Sequence, residues 1–140
     1  MTRQDLKEYK YNKEFIKDKL EYIEELRESI NKLTATISDM PRGSRQVEDS
    51  MAEKIAKLID SVDNLLEIIN RLQDKQIEIE NTILKIEQPY RNILDKMYIQ
   101  GKSLVKIADE MNYNYEYMKR MHGIALNKFD EVTKSYWKIP

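Results

Sequence analysis

Apolar residues in the middle of the chain recur with a spacing that alternates between four and three. This spacing is kept over eleven positions, ten of which are apolar. Because a 3.5-residue repeat keeps one narrow face of a helix apolar, it predicts a long α-helix with a coiled-coil seam. The eleven positions are Met51, Ile55, Leu58, Val62, Leu65, Ile69, Leu72, Gln76, Ile79, Ile83 and Ile86.

Gln76 is the polar residue in this seam. A polar seam residue often fixes the register of a coiled coil at some cost in stability. Gln76 can equally be a hydrated residue that the seam tolerates near a helix end, and both interpretations stay open.

The N-terminal segment has the same periodicity. Apolar residues recur there every seven positions and others fill the intermediate positions, so a second long helix is predicted. Thr2 can cap its start, with Asp5 three residues further on. The stripe consists of Tyr9, Ile16, Ile23, Leu26, Ile30, Leu33 and Ile37, and Leu6 and Leu20 widen it.

The segment between these two helices is short. Pro41 and Gly43 break the helix, and Ser44 can cap the next one. A short connection makes neighbouring helices antiparallel, so the two form a hairpin. Arg42 and Arg45 lie at its tip, where they can contact nucleic acid or a partner, or simply belong to a solvated turn.

The second helix is expected to stop near Glu87, because the residue before Pro89 disfavours helical backbone. Gly101 breaks the chain again, and Ser103 is a suitable cap. Three shorter helices are therefore predicted, at about 89–99, 104–111 and 115–134. The predicted fold is all-α, with a coiled-coil hairpin over residues 1–87 and a three-helix domain over residues 88–140.

Composition agrees with this fold and narrows the function. Charged residues make up 35% of the chain, with three glycines and three prolines, which favours long helices. Residues 1–87 carry a net charge of −4 and residues 88–140 a net charge of +3, so the second part is the one that would approach a phosphate backbone.

Several classes of function are not expected. The chain has no cysteine, and its one histidine, His122, cannot build a metal site alone, so no metal or cofactor is predicted. The acidic pairs lie on exposed helical faces without an implied pocket, and therefore an enzyme is not expected. There is no apolar run of about 20 residues and no signal-peptide pattern, which predicts a cytoplasmic protein without a membrane partner.

The segment from Ser103 to Arg120 predicts a helix-turn-helix motif. The first helix of the motif, at about 104–111, has an apolar stripe, and its small residue Ala108 stands where the second helix must pass closely. Asn112 stands at the turn, where left-handed backbone favours glycine and then asparagine, and Asn114 can cap the second helix. The predicted core residues are Leu104, Ile107, Ala108, Met111, Tyr113, Met118, Ala125 and Leu126.

On these residues the chain resembles known DNA-binding proteins. Residues 88–130 resemble region 4 of sigma factors, and the whole chain resembles the ArpU/RinA-like late transcription regulators of Gram-positive phages and prophages. The resemblance implies activation of phage promoters with bacterial RNA polymerase. The likeness to region 4 lies in the helix Tyr90–Gly101, in the helix with Leu104, Ile107, Ala108 and Met111, in the turn 112–114, in residues 118–120, and in Ala125 and Leu126. The likeness to the phage regulators also covers the turn 40–43 and the segment with His122, Gly123, Ala125 and Leu126.

The predicted DNA contacts divide by role. Tyr115, Glu116, Lys119 and Arg120 lie on the exposed face of the second helix and can reach base edges or phosphates. Asn114 and Ser103 stand at helix starts, where main-chain amides can hold phosphates. Lys102 and Lys106 are candidate backbone contacts, whereas Arg91 and Lys96 are assigned to a solvated face.

The sequence predicts a sequence-specific transcription regulator that binds double-stranded DNA. A homodimer is expected, because one hairpin does not cover a stripe widened by Leu6, Leu20, Ile59, Leu66 and Ile77. The alternative is a coiled-coil scaffold or a phage assembly protein, such as a DNA-recognition protein similar to terminase small subunits.

Overall fold

A computed structural model describes residues 1–41, 43 and 45–137 of the chain, with side chains up to residue 134. Over these residues the protein is helical and contains no strand. None of the helices in these ranges is both long and apolar enough to cross a membrane. The helices are α1 (Arg3–Ser38), α2 (Arg45–Leu84), α3 (Tyr90–Leu94), α4 (Leu104–Met111) and α5 (Tyr115–Trp137), and a π-helical turn (Asp95–Ile99) continues α3.

The predicted fold class, a long antiparallel hairpin followed by three shorter helices, is confirmed. The start of α1 is fixed by Asp5, whose carboxylate accepts a hydrogen bond from the Thr2 N–H at 2.8 Å. Arg42 and Ser44, the predicted tip contact and cap, lie outside the described residues. Arg45 begins α2 and is exposed.

The end of α2 differs from its predicted position. The helix α2 ends at Leu84 rather than near Glu87, because the N–H groups of Lys85 and Ile86 bond to carbonyls only three residues back. The peptide bond between Gln88 and Pro89 is cis.

The predicted helix over 89–99 is α-helical only as far as Leu94. From there the backbone widens to a π-helical turn, closed by a 3.0 Å hydrogen bond from the Gln100 N–H to the Asp95 carbonyl. Met97, Tyr98 and Ile99 are all half-buried as a result, against two different apolar clusters.

One compact unit of the structure is the part of the hairpin from Glu14 to Leu72. Seam residues from the two helices form its core, as the heptad pattern predicts. Burying each of these side chains stabilises the fold by about 1.5–3 kcal/mol. The buried residues are Ile16, Ile23, Leu26, Val62 and Ile69, flanked by Ile30, Leu58, Leu65, Leu66 and Leu72.

The other compact unit combines Met1–Lys13 with Gln73–Pro140. Its largest apolar cluster draws on α1, α2, α3 and α5. The division predicted at residues 87 and 88 differs from this arrangement, because the apolar face of α5 needs a cover that the ends of the hairpin supply. The buried members are Leu6, Tyr9, Ile79, Ile83, Ile86, Leu94, Ala125 and Phe129.

Polar contacts hold the same unit together. The Arg3 guanidinium lies 2.7 Å from the Asp130 carboxylate and donates to the Asn127 side chain at 2.8 Å. The Tyr9 hydroxyl donates to Glu80 at 2.5 Å, and burial followed by this contact raises the pKa of Tyr9. The first turns of α1 are thereby attached to both α5 and α2.

Candidate nucleic-acid interface

The helices α4 and α5 pack on a second apolar cluster in the same unit. Ile107 and Ala108 of α4 and Met118 of α5 are buried there, as predicted. Leu104, Met111 and Tyr113 are half-buried against them. Two members were not foreseen from the sequence: Ile93 of α3 and Met121, one turn after Met118, are also buried. The cluster makes α3, α4 and α5 one packed helix-turn-helix core.

The turn between α4 and α5 has the predicted left-handed residue. Asn112 has φ 60° and ψ 39°, a region that asparagine tolerates better than most residues. The Tyr113 N–H donates to the Ala108 carbonyl at 2.9 Å, which satisfies one of the carbonyls left unpaired at the end of α4. The chain therefore reverses within a few residues, and the start of α5 is held close to the end of α4.

Both helices begin with the predicted side-chain caps. The Ser103 hydroxyl oxygen accepts from the Lys106 N–H at 3.3 Å, and the Asn114 side-chain carbonyl accepts from the Tyr117 N–H at 2.8 Å. Capping uses only the oxygen of each group. The Ser103 O–H and the Asn114 side-chain NH₂ are still donors, and both are of the kind that bonds to phosphate oxygens.

The first two turns of α5 expose the four residues predicted to face DNA. Tyr115, Glu116, Lys119 and Arg120 are all exposed. The Lys119 ammonium lies 3.3 Å from the Glu116 carboxylate and 4.9 Å from the centroid of the Tyr115 ring. Because an exposed pair of this kind contributes little stability, the ammonium can exchange Glu116 for a phosphate at small cost.

Arg120 is placed differently from Lys119. Its guanidinium lies 5.7 Å from the centroid of the Tyr117 ring, and in the part of the chain that the structure describes it has no ion-pair partner. The Tyr117 ring in turn meets the Tyr113 ring edge-to-face at 5.0 Å, which anchors it to the turn. This cation–π contact uses the face of the guanidinium carbon, and the fork of N–H donors of Arg120 can still bind a phosphate or a guanine.

The two lysines predicted as backbone contacts have different surroundings. Lys106 is exposed on α4. Lys102 is half-buried, and its ammonium lies 2.9 Å from the Glu110 carboxylate, which also binds Lys96 at 2.9 Å. Hydrogen bonds from Lys96 and then Lys102 hold the pKa of Glu110 at about 2. Lys102 thus ties the loop before α4 to the end of that helix, and the assignment of Lys96 to a solvated face is wrong.

Sequence reasoning also missed the structural role of Arg91. Its Nε donates to the Ile86 carbonyl at 2.8 Å, which satisfies an acceptor left open just past the end of α2, so its assignment to a solvated face is wrong as well. The available signal was a basic side chain seven residues after the end of α2, close enough to bond to a carbonyl left open there.

His122 is half-buried on α5 and has a structural partner. Its Nε2 lies 2.9 Å from the Tyr98 hydroxyl. Burial, and then the charge of Arg3, lower the pKa of His122, and burial raises the pKa of Tyr98. The pair is therefore neutral at physiological pH and joins α5 to the π-helical turn.

No protein-family model, curated protein or solved structure matches this chain. The interpretation of the interface therefore depends on its own geometry. Three features matter most: a left-handed turn between two capped helices, a buried core beneath them, and two cations beside tyrosine rings at the start of α5.

Proposed function

We propose that this chain is a sequence-specific transcription regulator that binds double-stranded DNA through α4 and α5. In this arrangement α4 crosses the sugar-phosphate backbone and the first turns of α5 enter the major groove. The observation that carries the proposal is the exposed start of α5, where Lys119 and Arg120 project from a helix whose position is fixed by the turn at Asn112. Fixed helix starts with exposed cations suit a phosphate-lined groove.

The chemistry of this face supports reading of base edges as well as phosphates. Arg120 has the bidentate donors that match O6 and N7 of guanine, and Glu116 can accept from N4 of cytosine. Glu116 also repels phosphate, so it favours sites that offer it a donor. A face with two cations and one anion predicts modest affinity for arbitrary DNA and a larger share of base-specific contact.

The resemblance to phage late regulators extends this proposal to the setting. We infer that the protein acts in the bacterial cytoplasm on phage or prophage promoters, together with bacterial RNA polymerase. A second binding partner on the promoter compensates for the modest charge of one helix-turn-helix by raising the effective concentration.

A homodimer is part of the proposal, although two residues expected to need a second copy are covered within the chain: Leu6 is buried and Leu66 packs against the hairpin core. Leu20 and Ile59 on the hairpin helices are 42% and 44% exposed, which is high for apolar residues of a coiled coil. A second copy that covers them would present two helix-turn-helix modules to half-sites spaced by whole turns of DNA. Sedimentation at micromolar concentration checks this: a mass near 34 kDa is expected, about twice the 16.8 kDa of one chain, and a clean monomer contradicts it.

The same exposed apolar side chains favour the second candidate, a scaffold or assembly protein whose hairpin binds other proteins. The two candidates differ in what the cations of α5 do. In a scaffold, replacing Lys119 and Arg120 leaves the partner bound to the hairpin in place, whereas in a regulator the same change abolishes the contact with DNA.

Selection of bound duplexes from a random pool tests the proposal directly. The full chain is used with and without bacterial RNA polymerase, and the Lys119→Ala/Arg120→Ala variant is the control. We expect one enriched motif that disappears with the variant, and a pair of motifs if the dimer binds. A gel-shift assay of the wild type at low salt accompanies the selection. If no sequence is enriched in either condition and no gel shift is seen, the proposal of a transcription regulator is contradicted and the scaffold is favoured.

A further inference from the structure

Gly123 is an exposed glycine within α5, eight residues after the helix begins. Apart from its two chain neighbours and the nearby backbone of α5, a β-carbon placed on it would meet no atom within 4 Å in the part of the chain that the structure describes. Its backbone is helical, a conformation open to every residue. Neither internal packing nor backbone geometry therefore requires a glycine here.

The other two glycines show the contrast. Gly43 has φ +116° and Gly101 has φ +74°, values that side-chain-bearing residues rarely adopt. Gly123 has no such reason, and a glycine inside a helix destabilises it because the unfolded chain gains the most freedom there. The benefit that offsets this loss is expected to come from a contact outside the chain.

The position of Gly123 indicates the kind of contact. It follows Arg120 by three residues and Lys119 by four, so all three lie on neighbouring turns of one helical face. The opposite face carries the buried Met121 and Ala125. Gly123 is thus a flat place on the outer surface of α5, one turn beyond the two cations of the proposed DNA-binding face.

We propose that a DNA sugar-phosphate strand approaches α5 most closely at Gly123, and that the absent side chain lets Lys119 and Arg120 reach the adjacent phosphates. This inference rests on the proposed function and specifies how the helix sits in the groove. A helix of a second copy fits the surface less well, because a symmetric contact uses the same patch of both copies and so places two pairs of cations in one interface. A phosphate strand brings charge of the opposite sign.

The test compares Gly123→Ala and Gly123→Leu with the wild-type chain. Each full-length protein is melted by circular dichroism and titrated, by fluorescence anisotropy at low salt, into a labelled mixed-sequence duplex of about 30 bp, or three helical turns. Both variants are expected to melt about 3 °C higher, since they remove the helical glycine. DNA affinity is expected to fall about tenfold for alanine and further for leucine, because the added atoms keep the strand away.

Glu131→Ala is the matched control, an exposed position of α5 two turns further along. It is expected to bind the duplex like the wild type. If the wild type binds through Lys119 and Arg120 but Gly123→Leu binds equally tightly, this inference is overturned and the proposed function stands. If the wild type does not bind duplex DNA at all, both fail.

Sedimentation separates the remaining case. If Gly123→Leu weakens self-association and leaves the anisotropy titration unchanged, the flat surface belongs to a contact between two copies, and the inference is overturned. Unchanged self-association with a higher melting temperature and weaker DNA binding supports it.

Discussion

Removing the hairpin is expected to unfold the helix-turn-helix region. The buried faces of Leu94 and Phe129, both 0% exposed, belong to a cluster completed by residues of α1 and α2. A fragment of residues 88–140 loses that cover, at a cost of about 1.5–3 kcal/mol for each of these two side chains, or about 3–6 kcal/mol together. A domain of this size has about 3–8 kcal/mol of stability in all. The fragment is therefore expected to lack a stable fold.

A shortened chain provides the comparison. Replacing residues 14–72 by a short Gly-Ser linker deletes the outer hairpin but keeps Leu6, Tyr9 and the end of α2. Urea titrations followed by circular dichroism are expected to show a cooperative transition for this shortened chain and none for the 88–140 fragment. A cooperative transition in the fragment would mean that the helix-turn-helix has a sufficient core of its own, and the reasoning about the shared cluster would be refuted.

The other predictions concern single side chains. Asn114→Ala removes the cap of α5 and should destabilise the protein by about 1 kcal/mol in urea titrations, whereas Asn114→Asp should cost much less. The pKa of Glu110 is held at about 2, below its ordinary 4.5, so its contribution to folding stability is complete above pH 4.5 and is lost as the pH falls from there towards 2. The melting temperature of Glu110→Gln should therefore depend less on pH in that window. Burial lowers the pKa of His122 below 6.5, so stability should fall as the pH drops below that value, and His122→Gln, melted between about pH 5 and 8, should lose this dependence.

Most of the helical architecture could be predicted from the sequence. Heptad spacing requires only local periodicity, and it located α1, α2 and their seam. The caps at Ser103 and Asn114 and the left-handed Asn112 were also predictable, because each depends on residues within a few positions of it. Local chemistry therefore fixes the turn that positions the candidate site.

The features that could not be predicted from the sequence are contacts between particular side chains and one change in backbone geometry. Periodicity shows that α5 has an apolar face but not that Leu6 and Tyr9 cover it, some 120 residues earlier in the chain. Lys102 pairs with Glu110 near the other end of α4, and a spacing of eight residues does not by itself reveal that pairing. The π-helical turn at Asp95–Ile99 leaves no recognisable mark in residue types.

The salt dependence of DNA affinity tests the central claim most directly. The wild type, Lys119→Ala/Arg120→Ala and a control, Lys54→Ala/Lys57→Ala on α2, are titrated into one labelled duplex at several salt concentrations. The two double variants lose the same charge, and only the first pair lies on the proposed interface. If both cations bind phosphates, the slope of log affinity against log salt should shrink by about two units in the first variant and stay unchanged in the control. Equal affinities and slopes for the first variant and the wild type would contradict the placement of DNA on α5.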